Sequence, residues 1–439
     1  MKQTLHKSAT TNRSLWRHRD LRLVMPARAL SYVGDALALF ALMLRIHDQG
    51  SGTAGMAVLL AAFSLPPVLL MGVVGQVSDR FDSRRVLLAS TSVELLACAG
   101  LALVDGLAAT VALVVLLQLG QAVSNPTWGA LLPRIVGDED MGRVSALQQG
   151  LLAATGVVGA TAGGLLVGTW GVSAALWVDA ASFTGLLLAA ALVRTRRGGR
   201  HAVAEPALAE RAERARVRAL DVLRLMRRDR LLWVTFVWMM PFVVVLEGVN
   251  VAEVFLVRDA LHASATAFGL VQAVFGVGAV LGAWFAGRAA TDAARVRVLL
   301  LGFAGTALGV GAAGLAPSVV VVAGVFAMVG VANAAANAAT GPLYAVRPPE
   351  RDRGKVLAAL AGVSRAGSVV AMGLGALGGS VLGPRGTFVL GGALAVGVMV
   401  AMAVQLRGVD RAAPVHEAAT VDVPPTTGVS AVPDVGLAV

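Results

Sequence analysis

Residues 73–88 read VVGQVSDRFDSRRVLL, and this stretch joins two apolar runs through a short polar loop. The runs on either side cover 54–76 and 85–105. Each is long enough to cross a bilayer, which takes roughly 20 mostly apolar residues. The letters RVLL that begin at Arg85 recur at Arg297, a shift of 212 positions. The loop therefore indicates membrane helices, and its recurrence indicates that one half of the chain repeats the other.

The composition favours an integral membrane protein. Of the 439 residues, 57% are hydrophobic and only 14% are charged, and the mean hydropathy is +0.75. A water-soluble fold could not bury so much apolar surface. We predict an all-α protein with twelve transmembrane helices. The predicted spans are 24–46, 54–76, 85–105, 109–132, 144–169, 173–193, 231–256, 265–287, 298–316, 318–342, 355–382 and 386–406.

The shift of 212 also relates polar and glycine positions of the two halves. It carries Asn125 onto Asn337 and Gly171 onto Gly383. It also places Asp35, in the first span, opposite Glu247 in the seventh. We therefore predict two six-helix bundles related by a pseudo-twofold axis. Transporters that work by alternating access have this architecture, with the substrate handled between the repeats.

The charge distribution predicts the domain boundaries and the orientation. Almost all of the 37 lysines and arginines fall on one side of the predicted spans, and only Arg45, Arg258 and Arg385 remain for the other side. Because cytoplasmic loops accumulate these residues, both termini are expected in the cytoplasm, in a multi-pass protein of the cytoplasmic (inner) membrane. The predicted parts are a cytoplasmic N-terminal segment (1–22), the N-terminal bundle (23–195), a cytoplasmic linker (196–229), the C-terminal bundle (230–407) and a disordered cytoplasmic tail (408–439).

Charged residues inside the spans are the first candidates for function, since a charge at the bilayer centre costs at least ~2.5–3.5 kcal/mol. Asp35 and Glu247 are predicted to bind and release protons during transport. A second group of candidate charges comprises Glu94, Asp179, Glu253 and Arg365. Structural hydrogen bonds between helices are the alternative explanation for each carboxylate.

Polar and aromatic residues form stripes that predict a substrate cavity. In the fourth span, residues spaced by three or four lie on one helical face, and two asparagines repeat this spacing in the tenth. The predicted cavity residues are Tyr32, Gln118, Gln121, Asn125, Trp128, Asn250, Asn333 and Asn337. Interhelical hydrogen bonding is the alternative for these amides.

The loop from Gly75 to Arg85 resembles the signature loop of the major facilitator superfamily. The residues support a role in transport without the family: Gly75 allows close approach of the second helix, and Asp79, Arg80, Arg84 and Arg85 can make polar contacts that break during transport. The alternative is that these bases only set the topology. Further stretches resemble the macrolide-efflux and drug:proton antiporter branch, namely SYVGD at 31–35, Asn125-Pro126 and WVDAASF at 177–183. The fifth span departs from the antiporter motif, because Ala160 stands in place of its proline.

The sequence gives no sign of an enzyme. No GxxxxGK[ST] run occurs, and the six histidines have no spacing suited to a metal. We predict a secondary active transporter that exports drug-like or natural-product molecules in exchange for protons. The alternatives are a facilitator-type importer or exchanger of a polar metabolite and a non-transporting membrane sensor or scaffold. The expected partners are a small-molecule substrate, protons and membrane lipids; we expect a monomer and predict neither a cofactor nor nucleic-acid binding.

Overall fold

The computed structural model describes residues 15–70, 80–197, 223–289, 291–348 and 350–407. Several predictions lie outside these ranges. They concern Gly75 and Asp79 of the loop, residues 1–14 of the N-terminal segment, residues 198–222 of the linker and the tail 408–439. The side chain of Arg365 is also outside the described residues.

The described chain is built of α-helices. The first six are α1 (Arg19–Asp48), α2 (Gly52–Leu69), α3 (Ser83–Leu103), α4 (Leu107–Val136), α5 (Asp138–Trp170) and α6 (Val172–Leu192). The second half begins with α7 (Arg230–Phe255), α8 (Ala265–Ala286), α9 (Asp292–Leu315) and α10 (Val319–Val346). The last helical run, Glu350–Gln405, turns at Gly383 and forms α11 before this glycine and α12 after it.

These helices confirm the predicted fold. Ten segments of the described ranges are long and apolar enough to cross a membrane, and one of them, Gly367–Gln405, contains parts of both α11 and α12. The 33-residue α5 completes the twelve helices. The predicted spans and these helices differ by a few residues at most ends.

Two glycines show the sequence repeat in the backbone itself. Gly171, between α5 and α6, has φ 83° and ψ 173°, and Gly383, between α11 and α12, has φ 68° and ψ 175°. The two residues are 212 positions apart. Because glycine adopts positive φ without steric cost, both halves make the same sharp turn at the same place.

Side chains fix where several helices begin. The Asp229 carboxylate accepts hydrogen bonds from the backbone N–H groups of Leu231 and Leu232, at 2.9 and 3.2 Å. Asp82 caps α3 in the same way by accepting from the N–H of Arg84. Such caps satisfy backbone donors that have no partner within the helix.

The twelve helices form two bundles, α1–α6 and α7–α12. The first packs around a buried cluster that includes Leu42, Trp128 and Phe183. The second packs around clusters that include Phe242 and Phe388. Contact between the bundles comes mainly from α5 against α8 and from α2 against α11.

Two hydrogen bonds between the bundles are related by the repeat. The Thr53 hydroxyl donates to the backbone oxygen of Ala376 at 3.0 Å, and the Thr266 hydroxyl donates to that of Gly164 at 3.5 Å. The two acceptors are 212 positions apart and the two donors 213. The predicted pseudo-twofold axis therefore relates the contacts of α2 with α11 to those of α8 with α5.

The bundles meet at one end of the molecule, which we call the joined end. It is formed where α1 ends and α2 begins, together with the equivalent ends of α7 and α8. His47 and Asp48 of one bundle lie there beside Arg258 and Asp259 of the other. At the opposite end, which we call the basic end, ion pairs join partners within one bundle, as for Asp140 with Arg17 and Arg143, and for Asp229 and Asp292 with Arg347.

Candidate functional site

A cavity of about 800 Å³ lies between the bundles and is lined mostly by the second one. From the first bundle it takes Leu39 and Met43 of α1 and Leu60, Phe63 and Ser64 of α2. The remaining lining comes from all six helices α7–α12. A cavity of this size can accommodate a drug-sized molecule.

One wall of the cavity is polar. Glu247, Asn250 and Glu253 follow one another at intervals of three residues along α7. Asn250 donates to Glu247 at 3.3 Å, and Gln272 of α8 donates to Glu253 at 3.5 Å. The carboxylates and amides of this wall offer both hydrogen-bond acceptors and donors to a ligand.

Asn333 and Asn337 extend this polar wall onto α10. Asn337 donates from Nδ2 to the side-chain oxygen of Asn333 at 2.9 Å. Both residues line the cavity. Since they occupy neighbouring turns of one helical face, they present a continuous strip of amide groups.

The rest of the cavity is apolar and rich in phenylalanine. Phe242 stacks on Phe303 with ring centroids 4.2 Å apart, and Phe326 lies 6.3 Å from Phe275 and 6.4 Å from Phe388. All five rings line the cavity. Its surface therefore suits a ligand that has one polar and one apolar part.

The first bundle contains three carboxylates from three helices. Asp35 of α1 lies within electrostatic range of Glu94 of α3 and Asp179 of α6. Gln121 of α4 donates to Asp35 at 2.6 Å. We call Asp35, Glu94 and Asp179 the acid cluster. No set of three metal-ligating side chains with suitable geometry occurs in the described part of the chain, which includes this cluster.

The members of the acid cluster differ in their surroundings. Asp179 is fully buried and accepts hydrogen bonds from Cys98 and Ser182, both at 3.2 Å. Glu94 is 1% exposed, and neither of its carboxylate oxygens has a hydrogen-bond partner of good geometry. A buried carboxylate is costly unless it is hydrogen-bonded, so Glu94 differs in its surroundings from Asp179, which has two donors.

Two glycines make room for these acids. A Cβ atom on Gly120 of α4 would lie 2.7 Å from Cγ of Glu94. A Cβ atom on Gly34 of α1 would meet the carboxylate of Asp179 and would lie 2.7 Å from the Ser182 hydroxyl. Because glycine has no Cβ, the acids can lie directly against neighbouring backbones.

Equivalent positions of the two bundles behave differently. The shift of 212 carries Asp35 onto Glu247 and Gln121 onto Asn333. In the first bundle the acid and the amide are bonded to each other, whereas in the second both line the cavity. The Asp35–Gln121 pair and the Glu247–Asn333 pair thus occupy equivalent places in the two bundles, and only the second pair lines the cavity.

The other predicted residues of the first bundle do not line this cavity. Trp128 is 1% exposed within the core, Gln118 is buried, and Asn125 is exposed. Tyr32 accepts a hydrogen bond from Gln148 at 3.2 Å and is also bonded by Arg28. Their part in substrate binding stays a prediction.

The basic residues of the predicted loop lie at the basic end. Arg80 and Arg85 are exposed, and Arg84 is half-buried. The neighbouring Ser83 connects this region to the chain after α6, because its hydroxyl accepts from the N–H of Arg197 at 2.9 Å. The described part of the loop therefore rests on the end of its own bundle.

Sequence reasoning missed most of the apolar lining and Gln272. The repeat contains a signal for some of these positions. Phe63 and Phe275 are 212 positions apart, as are Leu60 and Gln272, and all four line the cavity. Comparison of apolar positions across the two halves would have identified them.

Known proteins agree with this architecture. The sequence profile of the Major Facilitator Superfamily matches residues 24–255 and 246–433. A lysophospholipid transporter LplT from Enterobacter sp. (strain 638) is 28% identical over 191 residues, which are 44% of this chain and 47% of that protein. The LplT of Salmonella typhimurium is 28% identical over 185 residues, or 42% and 45% of the two chains. The chain thus matches about half the length of these curated relatives.

Solved structures show the same fold at low sequence identity. A nucleoside transporter, NupG, superposes with a TM-score of 0.66 at 11% identity, covering 88% of this chain and 99% of that one. A bacterial homologue of the human lysosomal transporter Spinster gives 0.64 at 14% identity, covering 90% and 96%. The match to the macrolide-efflux branch is not confirmed, since the curated relatives above are lysophospholipid transporters. The family profile covers both bundles, and this chain belongs to the Major Facilitator Superfamily.

Proposed function

We propose that this protein is a proton-coupled secondary transporter of amphiphilic small molecules in the cytoplasmic membrane. The cavity carries the proposal. It combines the polar wall formed by α7 and α10 with a phenylalanine-rich apolar wall. A purely polar metabolite would leave the apolar wall without contacts, whereas an amphiphile would use both walls.

Charge narrows the class of substrate. Among the described residues that line the cavity, the charged ones are Glu247 and Glu253. Carboxylates favour a ligand with an amine or another cationic group near its polar end. A drug-like or natural-product cation fits this description. So does a lysophospholipid with an amine headgroup, and the names of the LplT relatives support the latter.

The proposed coupling uses Asp35 and Glu247. Each lies on the first helix of its bundle at the same place in the repeat. A carboxylate inside the membrane is costly when charged and unpaired, so proton binding can be linked to a change of conformation. Gln121 of α4 donates to Asp35 of α1 in the described conformation, and a movement of α1 against α4 during rocking would change this bond.

The proposed orientation places the basic end in the cytoplasm. Cytoplasmic loops of membrane proteins are enriched in lysine and arginine, and Arg80, Arg84, Arg134, Arg143, Arg194, Arg196 and Arg197 belong to this end. The joined end then faces outward. The described conformation, in which the bundles meet there, corresponds to a transporter closed to the outside.

The test is transport by purified protein in lipid vesicles with an imposed pH difference. The probes are lysophosphatidylethanolamine, lysophosphatidylglycerol, a lipophilic phosphonium cation and a nucleoside as the polar compound. We expect flux of the phosphonium cation or lysophosphatidylethanolamine that depends on the pH difference. Flux of the nucleoside alone would contradict the proposal, and flux of no probe would favour a non-transporting role.

A matched pair of variants connects the flux to the cavity. Phe303 lines the cavity and stacks on Phe242, whereas Phe285 is 57% exposed on α8. Phe303→Ala should reduce the flux several-fold and Phe285→Ala should leave it unchanged. Equal flux in both variants would show that the substrate does not use this cavity.

A further inference from the structure

A second, smaller cavity lies on the side of the first bundle, between α3 and α4. Its volume is about 540 Å³. It is lined by Phe81, Arg85, Val86, Ala89, Ser90, Val93, Leu116, Leu119, Gly120 and Val123. None of these residues lines the central cavity. We call it the side groove.

The side groove is open at the outer surface of the first bundle. Phe81 is 53% exposed, Leu116 40% and Leu119 36%. Its only side-chain hydroxyl belongs to Ser90, which donates to the backbone oxygen of Val86 at 2.9 Å. The surface offered to a ligand is therefore almost entirely apolar, apart from one arginine at its end.

That arginine is Arg85. It is exposed and has no ion pair or hydrogen bond among the described residues. The nearest acid along the chain, Asp82, is already engaged by the Arg84 N–H and by the Arg196 guanidinium at 3.4 Å. Among the described residues, no carboxylate therefore holds the Arg85 guanidinium, which lies at the basic end of the side groove.

We propose that the side groove binds a membrane glycerophospholipid, with the phosphate at Arg85 and an acyl chain along α3 and α4. Guanidinium groups bind phosphate through paired hydrogen bonds. From Arg85 to Val93 the groove runs about 12 Å along α3, at 1.5 Å per residue. The side groove therefore has a cationic group at one end and an apolar surface along its length. A phospholipid has the matching arrangement, with an anionic headgroup joined to an acyl chain.

The lipid would also cover the acid cluster. Gly120 and Ser90 form the floor of the side groove, and a Cβ on Gly120 would lie 3.1 Å from the Ser90 backbone oxygen and 3.3 Å from a Glu94 carboxylate oxygen. A lipid bound in the side groove would therefore lie beside Glu94 of the acid cluster and outside the central cavity.

The test is native mass spectrometry of the full-length protein taken from membranes that contain phosphatidylglycerol. Arg85→Gln removes the phosphate contact, and Ala89→Phe fills the groove at an exposed position. Arg84→Gln is the control, because it removes the same charge one residue away and does not line the groove. We expect wild type and Arg84→Gln to retain one more phosphatidylglycerol molecule than Arg85→Gln and Ala89→Phe.

Two further measurements keep the result decisive. Diacylglycerol, which lacks the phosphate, should not be retained, and inorganic phosphate should not displace the bound lipid. Equal retention by wild type and Arg85→Gln would overturn the proposal, as would equal loss in Arg84→Gln and Arg85→Gln. Melting curves of the purified variants verify folding, and the exposed Arg85→Gln substitution is expected to melt with wild type.

Discussion

The imidazole Nε2 of His47 lies 2.6 Å from a carboxylate oxygen of Asp259, and the two residues are 212 positions apart. They therefore occupy equivalent places in the two bundles and meet across the pseudo-twofold axis. Beside them, the Arg258 guanidinium lies 3.1 Å from the Asp48 carboxylate. The joined end is thus closed by residues of the equivalent turns of the two bundles.

Removing these ion pairs should loosen the joined end. Exposed ion pairs contribute about 0.2–1 kcal/mol each, so their loss shifts a conformational equilibrium several-fold. The readout is the rate at which a thiol reagent labels Thr53→Cys in a Cys98→Ala background, which has no other cysteine. We expect the double variant Asp48→Asn/Asp259→Asn to raise this rate several-fold. Asp105→Asn removes an exposed carboxylate near the same end and should not alter labelling. An unchanged rate in the double variant would show that these pairs do not hold the end closed.

Asp35→Asn should uncouple transport from protons. Asparagine keeps the size of the side chain and an oxygen that can accept from Gln121, but it cannot bind a proton. In vesicles that contain Asp35→Asn, we expect that a pH difference no longer drives accumulation of the substrate. Exchange of labelled for unlabelled substrate across the membrane should be retained. Glu247→Gln should have the same effect, and Asp105→Asn should behave as wild type. Full pH-driven accumulation in both Asp35→Asn and Glu247→Gln would refute the coupling mechanism.

The helices and their repeat could be predicted from the sequence because apolar length and glycine turns are local signals. Gly171 and Gly383 are an example, since a single residue type fixes the turn. Helix rotation could not be predicted in spans that are apolar all round. Trp128 was therefore expected in the cavity and lies in the core, although Asn333 and Asn337, from the equivalent helix, do line the cavity.

The cavity wall illustrates the same limit. Glu247 and Asn250 were predicted because polar residues are rare within membrane spans. The phenylalanines of the wall have no such signal, since a ring that faces lipid and a ring that faces a ligand look alike in one sequence. Phe285 and Phe303 show this: the first is exposed and the second lines the cavity.

Arg347 should be the most sensitive charged residue of the second bundle. Its side chain is 4% exposed and binds Asp229 at 2.8 Å and Asp292 at 2.9 Å. Removing one partner of a buried ion pair costs about 3–5 kcal/mol. We expect Arg347→Gln to lower the melting temperature of the purified protein by roughly 10 °C. Arg295→Gln, which loses a more exposed contact with Asp292, should lower it by a degree or two at most.

Close packing of α8 on α10 predicts the effect of a single methyl group. A Cβ on Gly278 would collide with the backbone oxygen of Ala327, and no flexible side chain could move aside. Overpacking of this kind costs about 1–3 kcal/mol. Gly278→Ala should therefore melt several degrees lower than wild type. Gly397→Ala, with no atom within 4 Å of its Cβ, is the control and should melt at the wild-type temperature or above it.

Alternating movement of the two bundles around the cavity is tested most directly by locking the joined end. A Cβ on Gly379 of α11 would lie 2.9 Å from Cβ of Thr53 on α2, so cysteines at these positions can form a disulfide after a small shift. Substrate flux and proton flux are then measured in the same vesicles of the Thr53→Cys/Gly379→Cys variant. We predict that oxidation stops both fluxes and that a reducing agent restores both. Undiminished flux in fully cross-linked protein would contradict the account.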